Sequence, residues 1–158
     1  MSTQEIFNYI RVDDRLITGG QPTADQLRSV ANEGFSTVIN LATFDSNRSL
    51  ADESTIVHSL GMDYVHIPVV WEHPTQSDFE KFEEAMNELK GAKVFVHCAA
   101  NFRVTAFYSL YAQKNLGWDQ VQAEAFRRQV WKDSQYPVWE AYIAQMRAGF
   151  SQQAATPE

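Results

Sequence analysis

The chain has 158 residues, 44% hydrophobic and 21% charged, a balance that fits one globular domain with a sizeable core. Its formal charge of −7 argues against a broad nucleic-acid footprint, which needs basic surface, and no apolar run approaches the ~20 residues of a membrane span. A single cysteine, Cys98, rules out an intrachain disulfide and a multi-thiolate metal site.

The first residues, Met1 to Phe7, show no basic stretch leading into an apolar one. The expectation is a cytoplasmic protein, although a leader already removed would leave the same start. Tyr9 to Gly20 reads as two short strands around an Asp13-Asp14 turn, broken by Gly19-Gly20-Gln21-Pro22. Thr23 with Gln26 forms a capping-box pattern opening a helix with Leu27, Val30 and Ala31 inward, closed by Gly34. Residues 37–41 are a strand-type apolar run, followed by a polar loop over 43–47. A helix through Ile56, Val57 and Leu60 ends at Gly61. A second strand spans 64–70, its end loosened by Pro68. Thr75 and Asp78 cap a helix with Phe79, Phe82, Met86 and Leu89 on one face.

The third strong strand, 93–97, runs directly into Cys98. A helix follows with Val104, Phe107, Tyr108 and Tyr111 at helical spacing, ending near Gly117. Two more fit 119–131, capped by Asp119, and 138–148, with Trp139, Tyr142, Ile143 and Met146 on one face. The aromatic residues Phe126, Trp131, Tyr136, Trp139 and Tyr142 are most simply core for these last helices. Residues 151–158 are polar and Ala-rich and are expected to fray as a disordered tail. Alternating strands and helices predict one α/β domain over residues 1–150, a three-layer α/β/α sandwich around a mainly parallel sheet.

Open parallel sheets bind ligands beyond the carboxyl ends of their strands, which here points to the loops 42–47, 71–74 and 98–103. The last is the most informative. It sets a thiol at a strand end and a guanidinium at a helix start. Backbone N–H groups converge on an anion there, and the same field favours a thiolate. A cation at a helix N-terminus opposes the dipole unless an anion is bound, and the planar fork of Arg103 suits a tetrahedral oxyanion. Asn101 is able to supply a left-handed turn in mid-loop.

Val96-His97-Cys98, a tight loop and Arg103 opening a helix resemble the signature of the tyrosine and dual-specificity phosphatases. Together with Gly19-Gly20-Gln21-Pro22, Val38-Ile39-Asn40-Leu41 and Tyr64-Val65-His66-Ile67-Pro68, the run is similar to a small bacterial branch of that superfamily across residues 9–116. The resemblance implies a phosphatase-like fold and a phosphoric monoester hydrolase without cofactor or metal. Cys98 would attack phosphorus to give a phosphocysteine, Arg103 would clamp the phosphate, and His97 would orient the loop. The loop residues Ala99, Ala100, Asn101, Phe102, Arg103 and Val104 would bind the anion. An acid on a neighbouring loop would protonate the leaving group. The 71–74 loop has no Asp, so Glu72 is the first candidate and His73 the second, while Asp78 has a sufficient role as the capping partner of Thr75. The implied substrates are a phosphorylated protein or a small phosphate ester, with no nucleic acid or membrane partner.

The loop also departs from the signature. Four residues separate Cys98 from Arg103 where the signature has five, the mid-loop glycine is replaced, and Val104 stands where a hydroxyl residue is usual, with Thr105 one place later. These differences keep open a non-catalytic phosphate- or phosphoprotein-binding module, with rhodanese-like sulfur transfer third. Arg48 would add charge at the mouth, with a solvated surface role as the simpler reading. Gln21 is sufficiently explained by its turn. His66, His73, His97 and Cys98 could imitate a metal site, but they lack HxxxH or CxxC spacing.

Overall fold

The computed structural model describes residues 2–155 except Asn47 and Arg48, with side chains described through Ser151. In chain order a 3-10 turn (Thr3–Glu5) precedes β1 (Ile10–Asp13), β2 (Leu16–Gly19), α1 (Ala24–Asn32), β3 (Thr37–Asn40), α2 (Glu53–Ser59) and β4 (Asp63–His66). Then follow α3 (Gln76–Glu88), β5 (Val94–His97), α4 (Phe102–Asn115), α5 (Gln120–Trp131) and α6 (Pro137–Ala155). The sheet order is β1-β2-β5-β3-β4; β1 is antiparallel to β2 and the other pairings are parallel.

Strand side chains alternate between faces, and each face has its own core. Ile17, Val38 and Phe95 pack with Leu27, Val30 and Val57 from α1 and α2. Leu16, Ile39, Val94 and Val96 pack on the other face with Phe79, Phe82, Phe107, Trp131 and Trp139 from the later helices. This is the three-layer α/β/α arrangement expected from the alternation. The capping boxes of Thr23, Thr75 and Asp119 are all formed. Among the described residues no helix is long and apolar enough to cross a membrane.

Two boundaries differ from the sequence expectation. Strand β4 stops at His66 rather than running to residue 70. Pro68 lacks an N–H, so beyond His66 only the Ile67 and Val69 amides bond inward, to the carbonyls of Asn40 (2.9 Å) and Leu41 (3.0 Å). Helix α6 continues to Ala155, well past residue 148, so the part of the expected tail over 151–155 is helical. Alanine and glutamine are favourable helix residues, which accounts for the extension. Residues 156–158 lie outside the described residues.

The register carries the functional consequence. Gly19 and Asn40 both pair with His97, and Asn40 pairs with His66. The four parallel strands therefore end level, and the loops that follow them share one edge of the sheet.

Candidate active site

The β5–α4 loop is held by its carbonyl groups. The Gln21 amide donates to the Ala99 carbonyl (2.9 Å), Asn8 Nδ2 donates to the Ala100 carbonyl (2.9 Å), and His97 Nδ1 lies 3.1 Å from the Cys98 carbonyl. No peptide here is cis, and in a trans peptide the C=O and the following N–H point opposite ways. Tying down the Cys98 and Ala99 carbonyls therefore turns the Ala99 and Ala100 N–H groups away from these anchors. The clamp needs Gly20: a Cβ there would sit 2.7 Å from the Ala99 carbonyl oxygen and 3.2 Å from the Ala100 Cα.

Asn101 takes the left-handed conformation the sequence suggested (φ 68°). Its side chain, fully buried, donates to the Asn8 carbonyl (2.8 Å) and Thr18 Oγ1 (3.0 Å) and makes no cap on α4. The first-turn N–H groups of Phe102, Arg103 and Val104, which a helix leaves without internal partners, thus receive no acceptor from the residue best placed to give one. The side chains of Phe102 and Val104 have other work. Val104 is fully buried in the core, and Phe102 packs on Trp131, with ring centroids 4.9 Å apart. Any part these two take in holding an anion is confined to the backbone. Thr105, next to the position where the signature carries a hydroxyl, donates to the Asn101 carbonyl (2.8 Å) and accepts from Trp131 Nε1 (3.1 Å), fastening the helix start.

Arg103 is only 6% exposed. Its Nη1 donates to the Val69 carbonyl (2.7 Å) and its Nη2 to Ser46 Oγ (3.3 Å). No carboxylate among the described residues lies within 4.0 Å of it, so this buried cation is solvated by neutral oxygens alone. The guanidinium opens onto a pocket of about 330 Å³ lined also by Thr43, Asp45, Ser46, Val70, Trp71, Glu72 and Ala99. Cys98 is 1% exposed and packs in the core cluster; its neighbour Ala99, not its own side chain, lines the pocket.

Of the acid candidates, Glu72 lines this pocket and His73 does not. The loop carrying Glu72 is pinned by Trp139 Nε1, which donates to the Trp71 carbonyl (2.8 Å). Asp78 accepts from the Thr75 amide (3.0 Å) in its capping box. His66 is engaged with the Ala42 carbonyl (2.6 Å), while His97 turns to Cys98 and Glu53; among the described residues no three His, Cys, Asp or Glu side chains are grouped so as to hold a metal ion. Arg48 lies outside the described residues.

Sequence reasoning missed Asp45 and Ser46 on the 42–47 loop and, more consequentially, Glu53. Glu53 is 4% exposed, and its Oε2 lies 2.6 Å from Nε2 of the fully buried His97. Gln21 Nε2 donates to its Oε1 (2.7 Å), so Gln21 does more than shape a turn. Burial alone would raise the Glu53 pKa. The charge and hydrogen bond of His97, with hydrogen bonds from Gln21 and Tyr64, outweigh that and hold the carboxyl below its usual range. The Tyr64 hydroxyl is pushed up to about 12 by burial and by the Glu53 charge, and Asn40 Nδ2 donates to it (3.0 Å). The one sequence signal was an acid in the first turn of a short helix, a position that helix electrostatics explains without any partner.

Residues 3–144 match the family model described as "DSP-PTPase phosphatase fused to NAD+ Kinase". The Beta-lactamase hydrolase-like protein of Agrobacterium fabrum is 31% identical over 104 residues, 64% of this chain; the chain spans only 24% of that relative's length. A structure from Shewanella putrefaciens CN-32, a DUF442 protein named provisionally as a phosphatase, shares 34% identity and covers 93% of this chain and 95% of its own, with a TM-score of 0.83. PTPMT1 in complex with PI(5)P shows the same fold at 19% identity, with a TM-score of 0.76 over 93% of this chain and 99% of that one.

Proposed function

As the chain belongs to this family of DSP-PTPase phosphatases, we propose that it is a cysteine-dependent phosphoric monoester hydrolase working at the 98–103 loop. The observation that carries the reading is Arg103: a buried guanidinium, 6% exposed, with no carboxylate in reach among the described residues, at the uncapped start of a helix that follows a cysteine by five positions. Buried charge without a counterion is costly, and a dianionic phosphoryl group is the partner that geometry and dipole both favour.

In this mechanism the Cys98 sulfur attacks phosphorus while the bond from phosphorus to the ester oxygen breaks. Glu72 gives its proton to the departing oxygen, leaving a phosphocysteine. Water then attacks phosphorus, passing a proton to Glu72; inorganic phosphate leaves and the thiolate is restored. Arg103 and the N–H groups of Ala99, Ala100 and the first turn of α4 hold the phosphoryl oxygens throughout. Asp45 and Glu72 share the pocket with a single described guanidinium. That balance favours an ester with one phosphate, on a protein or a small apolar carrier, over a polyphosphorylated headgroup. A free catalytic thiol suits a reducing compartment such as the cytoplasm.

Turnover of p-nitrophenyl phosphate tests the reading. Wild-type protein should hydrolyse it and Cys98→Ser should fall to background, with inositol polyphosphates poor substrates for both. Equal rates for wild type and variant would remove the mechanism. The burial of Cys98 behind Ala99 favours one alternative, a module that binds phosphate groups without cleaving them. It predicts thermal stabilisation by orthophosphate that Arg103→Ala abolishes, and no turnover.

A further inference from the structure

We propose that Glu53 is a positioning residue for this site: through His97 it fixes the Cys98 carbonyl and favours ionisation of the Cys98 thiol, without touching substrate. The inference rests on the phosphatase reading for its purpose, although its geometry stands apart from turnover.

Both ring nitrogens of His97 face oxygen atoms, Nε2 the Glu53 carboxylate at 2.6 Å and Nδ1 the Cys98 carbonyl at 3.1 Å. A carbonyl oxygen has no proton to give, so Nδ1 must donate. An ionised carboxylate has none either, so Nε2 must donate as well, and the ring is an imidazolium. The other assignment, a protonated Glu53 donating to a neutral ring, fits its surroundings poorly. Gln21 Nε2 already donates to Oε1 at 2.7 Å, the Tyr64 hydroxyl adds a further bond, and each such bond favours the ionised carboxylate.

A sealed ion pair is an expensive way to fasten a helix to a strand, since apolar packing does that as well or better. Its position supplies another use. The imidazolium holds the Cys98 carbonyl, and the trans peptide then fixes the direction of the Ala99 N–H. The same charge lies one residue from the sulfur and adds to the field that favours a thiolate. The titratable and charged groups facing this unit are Glu53 on α2 and Tyr64 on β4, with His66 beside the Tyr64 ring; Arg103 on α4 and Asp45 and Glu72 on the loops line the pocket next to Ala99. Among the described residues Glu53 is the acid within hydrogen-bond distance of the imidazole.

Alkylation of the full chain by iodoacetamide across pH reads the proposal directly, because one cysteine makes the mass shift unambiguous. Glu53→Gln should move the midpoint of the alkylation profile upward by about one unit or more, which is about tenfold slower reaction on the acid side. Glu53→Asp should recover part of the shift. With p-nitrophenyl phosphate the acid limb of kcat should move with it while KM changes little. A folded Glu53→Gln protein with the wild-type alkylation profile would overturn the proposal and leave the pair as a latch. Should Glu53→Gln fail to fold, nitrogen-15 shifts of His97 in the wild-type protein decide: a doubly protonated ring at neutral pH supports the proposal and a neutral ring overturns it. A wild-type protein without turnover whose alkylation midpoint still depends on Glu53 would defeat the hydrolase reading and leave this inference standing.

Discussion

Two buried arginines on the same half of the molecule are treated in opposite ways. Arg127 on α5 is 1% exposed and fully compensated: it meets Glu124 at 2.8 Å and Glu140 at 3.0 Å and lies over the Trp131 ring, 4.8 Å from its centroid. Arg128 and Arg147 join the same carboxylates, tying α5 to α6. Arg103, 6% exposed, has a carbonyl and a hydroxyl. The buried side-chain oxygens without a hydrogen-bond partner among the described residues, Gln21 Oε1 and Asn101 Oδ1, also lie beside the 98–103 loop. One region settles its charges internally. The other carries an unsettled charge, unpaired oxygens and a left-handed asparagine in one place, the pattern expected where stability has been given up for binding.

The largest effect should come from damaging the settled side. Phe126 on α5 is buried against the rings of Tyr108 and Trp118, so Phe126→Ala should cost about 3–5 kcal/mol in urea denaturation. Phosphate binding by the fraction that stays folded should remain within a few-fold of wild type. Comparable losses of stability and of binding per folded molecule would break the contrast. Arg103→Met should do the reverse. Turnover should drop by about a hundredfold or more, as for loss of an oxyanion donor, while the melting temperature holds or rises. A melting point lower by many degrees would mean that the guanidinium is structural after all.

Asn101 separates backbone from side chain in smaller steps. Asn101→Ala loses the bonds to Asn8 and Thr18 and strains a positive φ, and should cost about 2 kcal/mol. Asn101→Gly, free of the φ penalty, should cost measurably less by the same denaturation assay. The smallest effect belongs to Glu124. Burial would raise its pKa, but hydrogen bonds and charges from Arg127 and Arg147 take it from 4.5 down to about 2. A depressed carboxylate contributes stability that is complete above its unfolded pKa and is lost as pH falls through the folded value. Melting curves between about pH 5 and 2 should therefore show an acid-side loss of about 1 kcal/mol or less that Glu124→Gln lacks.

Most of the fold was legible because its signals are local. Thr23 and Thr75 announced their helices by the residue three places on and Asp119 by its own capping side chain, and the strand runs read at 37–41 and 93–97 needed no context. The loop was legible for a similar reason, since Cys98, Asn101 and Arg103 are neighbours in sequence and Asn101 adopts the turn its side chain allows. The errors lie where tertiary or cumulative effects decide. Pro68 ended β4 early by withholding one amide, and successive Ala and Gln residues carried α6 beyond residue 148. Glu53 was invisible because its partner is 44 residues away and its own surroundings look like an ordinary helix start. Asp45 and Ser46 were inside a loop already suspected, but nothing in their spacing tied them to Arg103.

The ties that shape the 98–103 loop span most of the chain. Thr18 and Asn101 are 83 residues apart, Asn8 and Ala100 are 92, and Asn8 and Asn101 are 93. The Arg127–Glu140 pair closes only 13. Loop-closure entropy grows with separation, so a refolding chain can assemble its C-terminal helices while the two ends of the scaffold around the 98–103 loop are still searching for each other. In a stopped-flow experiment helical signal should return before phosphate affinity does, making the functional edge the last part of the molecule to mature.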